Sequence, residues 1–146
     1  MTALENAALR RLALKVLAQH AGPGAGAKAL AAAARIAYDD LALASAPLIG
    51  QVGVDALTGR ALHLAQREYP WMVRALEPEQ AEAPFAQVVF GLERQDPAVA
   101  TEAAGAVFAT FMGLLVTFIG EPLTASLLRK AWPGAFSGVG TEETLT

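Results

Sequence analysis

The sequence contains no cysteine and only two histidines, His20 and His63. Without thiols the chain has no disulfide, no thiolate zinc site and no cysteine nucleophile. Metal sites in helical bundles use Glu-x-x-His pairs, because that spacing turns both ligands inward from one helix. Leu17 and Arg60 stand three residues before the two histidines. We therefore expect neither a metal ion nor another cofactor.

Charge is also scarce. Only 17% of the 146 residues are charged, against about 25% in an ordinary soluble domain. The net charge of −3 provides no basic field, so nucleic acid is not an expected partner. The first residues mix charged with apolar side chains and contain no uninterrupted apolar run ahead of a cleavage site, which is not the pattern of a secretory signal. The cytoplasm is the expected location.

The longest stretch without charge lies between Glu102 and Glu121. Asp96-Pro97 supplies an N-cap acid followed by proline at the first helical position, and Gly120 is a preferred C-terminal cap, so we predict one helix over about 97–119. Its apolar length of roughly 27 Å falls just short of a ~30 Å hydrocarbon core. Because its flanks are acidic and no Lys/Arg cluster marks an inside end, we predict a buried core helix and not a membrane span.

Two different faces run along this helix. Gly105, Ala109 and Gly113 fall four residues apart and form a stripe of small side chains, which lets another helix backbone approach closely. A bulky face that includes Phe108 and Phe111 runs along another side. A helix that is apolar nearly all round must be buried nearly all round, by other helices of the chain or by a second copy.

The remaining pattern predicts an all-α fold, a compact bundle of about five to six helices around this long central helix. We place a single helical domain at 1–134, with a hinge at the Gly/Pro-rich residues 22–26, and a flexible acidic tail at 135–146. No repeat of a solenoid period is visible. The other predicted helices cover 3–20, 27–44, 48–69 and 123–132, with a break at 45–47, while 85–92 fits a helix or a strand.

His63 is flanked by Arg60 and Arg67 on neighbouring helical positions, a setting that would suit a phosphate. Histidine phosphotransfer helices usually carry Lys-Gly shortly after the histidine, where this chain has Leu64 and Ala65. An ordinary surface histidine is the preferred interpretation, and a phosphotransfer-like relay that uses His63 is the alternative. The glycine-rich run before Lys28 lacks phosphate-loop spacing, and the serines lie in no nucleophile motif, so we expect no enzyme.

The function that fits is a non-enzymatic sensory or regulatory protein-interaction module that homodimerises through apolar helical faces. Its expected partners are a second copy and another signalling protein. The alternative is a binder of an apolar small molecule in a helical pocket. The candidate packing or interface residues are Gly105, Ala109, Gly113, Leu127, Leu128 and Trp132. The candidate pocket residues are Trp71, Phe108, Phe111, Met112 and Phe118.

Overall fold

Helices form nearly all of the chain that the computed structural model describes, residues 6–72 and 84–137. No strand occurs within these ranges, and residues 85–92 belong to a helix. The all-α prediction is therefore confirmed. The elements are α1 (Asn6–Ala21), α2 (Ala27–Ala65), a 3₁₀ turn (Pro70–Met72), α3 (Pro84–Leu92), α4 (Pro97–Ile119), α5 (Glu121–Ala131) and α6 (Gly134–Ser137).

The central helix has the bounds that its capping signals predict. The Asp96 carboxylate accepts a hydrogen bond from the Ala98 amide at 3.3 Å, and Pro97 begins α4 without needing a donor of its own. The helix ends where Gly120 takes a positive φ of 92°. Local chemistry therefore decides both ends of α4.

The prediction for the first helix is tested only in part. The predicted start at residue 3 lies outside the described residues, while α1 ends at Ala21, one residue later than predicted. The loop over 22–26 then connects α1 to α2, with positive φ at Gly22 and Gly24. At the other end of the chain, α6 extends the helical part through 137, with Ala135 buried, and 138–146 lie outside the described residues.

The predicted break at 45–47 is wrong, because helical structure continues through Pro47 and is interrupted at Gly50. Pro47 lies in the last turn before the interruption, so its missing N–H removes only one hydrogen bond near a helix end. Gly50 has φ 80° and ψ 158°, a conformation essentially restricted to glycine. It divides α2 into two segments, which we name α2a (27–49) and α2b (51–65).

The same arrangement occurs a second time, 70 residues later. Gly120 has φ 92° and ψ 160° and joins α4 directly to α5, as Gly50 joins α2a to α2b. The helix before the glycine spans 23 residues in both cases, 27–49 and 97–119. The chain therefore contains two helix–glycine–helix units.

Burial repeats in the same register. Every buried residue of α2 except Ala31 has a buried residue 70 positions further on, and the equivalent of Ala31, Thr101, is half-buried. Only seven of the 39 paired positions hold the same residue, so backbone and burial carry the repeat more clearly than side-chain identity. The identical pairs are Ala33/Ala103, Ala34/Ala104, Ile49/Ile119, Gly50/Gly120, Leu57/Leu127, Ala61/Ala131 and Ala65/Ala135.

The two units and the shorter helices enclose one core. Helix α4 packs against α1 on one side and α2 on another, while α3 packs mainly on α2. Phe111 of α4 meets Tyr38 of α2a edge to face at 6.3 Å between ring centroids. Trp132, just after α5, donates its indole N–H to the carbonyl of Ala37 at 3.1 Å. These contacts join the two units near the middle of α2a.

Replacing Gly50 by alanine should lower the free energy of unfolding by about 1–3 kcal/mol, because an L-residue is strained at this φ and ψ. No heavy atom lies within 4 Å of the added Cβ, so backbone strain is the only cost. Gly59→Ala, at an exposed helical position with equally open space, is the matched control and should raise stability by about 0.5–1 kcal/mol. Urea unfolding of both variants measures the difference, and equal stability would contradict the strained junction.

Candidate functional site

The stripe of small residues on α4 faces α1 of the same chain. A Cβ atom placed on Gly105 would lie 2.9 Å from Cδ2 of Leu14, whereas one on Gly113 would lie 4.0 Å from Cδ1 of Leu9. Ala109, between them, is 2% exposed. The close approach predicted for this stripe therefore occurs within the chain, and it is tightest at Gly105.

The other candidate interface residues are also internal. Leu127, Leu128 and Trp132 are each at most 3% exposed. The Trp132 ring packs edge to face on Phe108 at 6.0 Å, in addition to its hydrogen bond to the Ala37 carbonyl. These residues pack α5 against α2a and α4.

The candidate pocket residues do not converge on one cavity. Phe108, Phe111 and Met112 are buried in the core. Trp71 is half-buried and meets Tyr69 edge to face at 5.9 Å. Phe118 points into solvent and is 64% exposed. The five side chains are thus divided among the core, a separate aromatic pair and the surface.

A small cavity remains beside the buried phenylalanines, with a volume of about 10 Å³, close to the minimum that one water molecule needs. Tyr38 lines it and stacks on Phe85 with 4.3 Å between ring centroids. Thr58 donates its hydroxyl hydrogen to the Val54 carbonyl at 2.8 Å, so the Tyr38 hydroxyl must be the donor in its 2.7 Å bond to Thr58 Oγ1. The polar groups that line the cavity are therefore satisfied, and its volume has no space for a ligand larger than one water molecule.

Burial raises the pKa of the Tyr38 phenol above its usual value, and the negative charges of Asp55 and Asp39 act in the same direction. Tyr38 and Thr58 were not singled out from the sequence, because their 20-residue separation becomes a contact only when the chain turns back at Gly50.

The candidate phosphate-accepting residues around His63 lie at the surface of the protein. His63 is exposed near the end of α2b, and its Nδ1 lies 3.4 Å from Nε2 of Gln66. Arg60 is exposed one turn earlier, and Arg67 lies in the turn after α2. Among residues 6–72 and 84–137, no group of three or more His, Cys, Asp or Glu side chains could hold a metal ion. The alternative in which these three residues accept a phosphate stays a prediction.

Four large apolar side chains are exposed beside the two glycine junctions. Leu48 and Val52 flank Gly50 and are 49% and 84% exposed, while Phe118 and Leu123 flank Gly120 and are 64% and 50% exposed. We name these four residues the junction surface. Leu48 and Leu123 line one groove of about 190 Å³, so both junctions lie at the same end of the bundle.

The junction surface has few charges around it. Within seven residues of either glycine, Asp55 and Glu121 are the only charged side chains. Lys130 lies further along α5, at the edge of the groove that Leu48 and Leu123 line. The surface was missed in the sequence because helical spacing places Leu48 and Leu123 on faces that look like core.

No protein-family model matches the chain, and comparisons with curated proteins and with solved structures found no significant match. Two described helices, α2 and α4, are long and apolar enough to cross a membrane by length and composition, which is weak evidence because core helices pass the same test. The most apolar window is 56% buried inside the protein in α4 and 22% buried in α2. The expectation that the chain does not span a membrane stays a prediction.

Gly105→Leu should destabilise the protein by about 1–3 kcal/mol, because the larger side chain meets Leu14. Gly113→Ala should instead stabilise it by about 0.5–1 kcal/mol, since the added methyl reaches only ordinary contact distance and alanine favours the helix. Thermal and urea unfolding measure both. A neutral Gly105→Leu variant would show that α1 does not press against this position.

Tyr38→Phe should cost about 0.5–1.5 kcal/mol near pH 7, because it removes the hydrogen bond to Thr58 and keeps the stacking on Phe85. With the folded-state pKa raised, the stability contribution of Tyr38 is complete below the unfolded value near 10 and is lost as the pH rises through the folded value. Unfolding free energies should therefore fall less steeply above pH ~10 in the variant than in the wild type. Identical slopes would contradict the raised pKa.

Proposed function

We propose that the protein is a non-enzymatic helical interaction module that works as a homodimer in a sensory or regulatory role. The observation that supports it best is the junction surface, which exposes four large apolar side chains on a chain whose core is filled by its own helices. Full burial of one such side chain is worth roughly 1.5–3 kcal/mol. Contact with another protein surface would recover part of that free energy.

The shape of the junction surface favours a protein partner over a small ligand. Val52 and Phe118 project from helix ends, and more than half of each side chain is exposed, as in a convex contact surface. The cavity beside the buried phenylalanines has a volume of about 10 Å³, which suits one water at most. A surface that protrudes from a closed core is suited to docking against another protein.

A homodimer is the simplest partner arrangement, because a two-fold interface needs only one self-complementary patch. Charge is consistent with this choice. The net charge of −3 is small enough for two copies to associate without strong repulsion. The sensory or regulatory role rests on the absence of a catalytic constellation in the sequence, and another signalling protein would be the second partner.

Purified protein should have twice the chain mass in analytical ultracentrifugation, with a dimer that dissociates on dilution. Native mass spectrometry of the same sample should show the bare dimer. A monomer at every concentration would contradict the homodimer. A retained apolar molecule of low mass would favour the small-molecule alternative.

A further inference from the structure

The junction surface is a candidate interface because Gly50 and Gly120 bring two separate pairs of apolar residues to one end of the bundle. Leu48 and Leu123, 75 residues apart in sequence, line the same groove. Val52 and Phe118 lie within two residues of the same glycines. Together the four side chains expose on the order of 450 Å², near the size of the largest apolar patch on a typical monomer.

We propose that this end is the dimer interface, with the junction surface of one copy docked on the junction surface of a second copy. In this arrangement the Phe118 ring of each copy enters the groove between α2a and α5 of the other. The inference rests on the proposed homodimer and adds the surface through which it forms. Each copy supplies one ring and one groove, as a two-fold interface requires.

The size of the groove suits this occupant. Its volume of about 190 Å³ is several times the ~30 Å³ share of one water molecule, which gives room for one phenyl ring. Ala44, Pro47, Leu48, Leu123 and Leu127 form its apolar lining. An aromatic side chain seated in an apolar pocket is the usual centre of a protein interface.

Charge complements the apolar contact. Glu121 lies three residues after Phe118, and Lys130 lies at the edge of the groove. When Phe118 of one copy enters the groove of the other, Glu121 comes towards Lys130 of that copy, once on each side of the two-fold axis. Opposite charges around an apolar centre form the polar rim typical of interfaces.

The exposed area also agrees with a dimer. A standard interface buries about 800 Å² per partner, of which the four apolar side chains supply roughly half. Pro47 and Pro122, both exposed at the same end, add to the apolar centre. A membrane surface fits less well, because Lys130 is the single Lys or Arg that lines the groove, and anionic lipid is attracted by clusters of basic residues.

Val52→Asp tests the interface, with Val99→Asp as its matched control. Both valines are exposed and lie in the first turn of a helix, where an aspartate is tolerated, but Val99 lies at the end of α4 remote from Gly120. Analytical ultracentrifugation should show the dimer dissociation constant raised about tenfold or more by Val52→Asp and by Phe118→Ser, and little changed by Val99→Asp. Circular dichroism checks that each variant is folded.

Charge exchange provides a second, independent test. Lys130→Glu should weaken the dimer, because it places a carboxylate opposite Glu121 of the other copy. The double variant Glu121→Lys with Lys130→Glu should restore it, since the pair is reversed at both ends of the two-fold contact. If Lys130→Glu weakens the dimer and the double variant does not restore it, the two residues do not face each other, which would contradict the docking geometry.

The outcomes separate this inference from the proposed function. A wild-type dimer that survives both Val52→Asp and Phe118→Ser overturns the interface and leaves the homodimer standing. A wild-type monomer overturns both. Flotation with phosphatidylcholine vesicles completes the test, since monomeric wild-type protein that binds them through Phe118 would assign the surface to a membrane.

Discussion

The fold depends on two glycines that hold a backbone conformation closed to other residues. Gly50 and Gly120 both combine a φ between 80° and 92° with a nearly extended ψ, and each lets one helix pass directly into the next without a loop. Because each junction is a single residue, the direction of the following helix is strictly determined. The core contacts of α2b and α5 with the long helices, and the surface that the junctions display, follow from these two turns.

The two helix–glycine–helix units explain how a chain with 54% hydrophobic residues covers one face of each long helix. Each 23-residue helix presents its buried face in the same register, and the two faces pack together in one core. Part of the covering that we expected from a second copy is supplied by the other unit of the same chain. The stripe around Gly105 receives α1 in the same way, so its close packing is internal.

The core and the junction surface differ in how their side chains are covered. Inside, Tyr38, Thr58 and Trp132 each find a hydrogen-bond partner, and within the described residues no buried side-chain nitrogen or oxygen lacks one. At the junction end, Val52 and Phe118 have no such covering from the chain. A satisfied interior beside an apolar surface is the physical basis of the proposed interaction role.

The sequence by itself determined the features that local chemistry controls. Asp96 and Pro97 begin α4 and Gly120 ends it, because capping acts over three or four residues, and the helical period indicated the all-α class. Only the tertiary structure decided that α2 turns at Gly50 and not near Pro47, that Trp132 is internal and that Phe118 is exposed. These outcomes depend on contacts between residues far apart in the chain, such as Trp132 with Ala37, and periodicity shows that a face is apolar without showing what covers it.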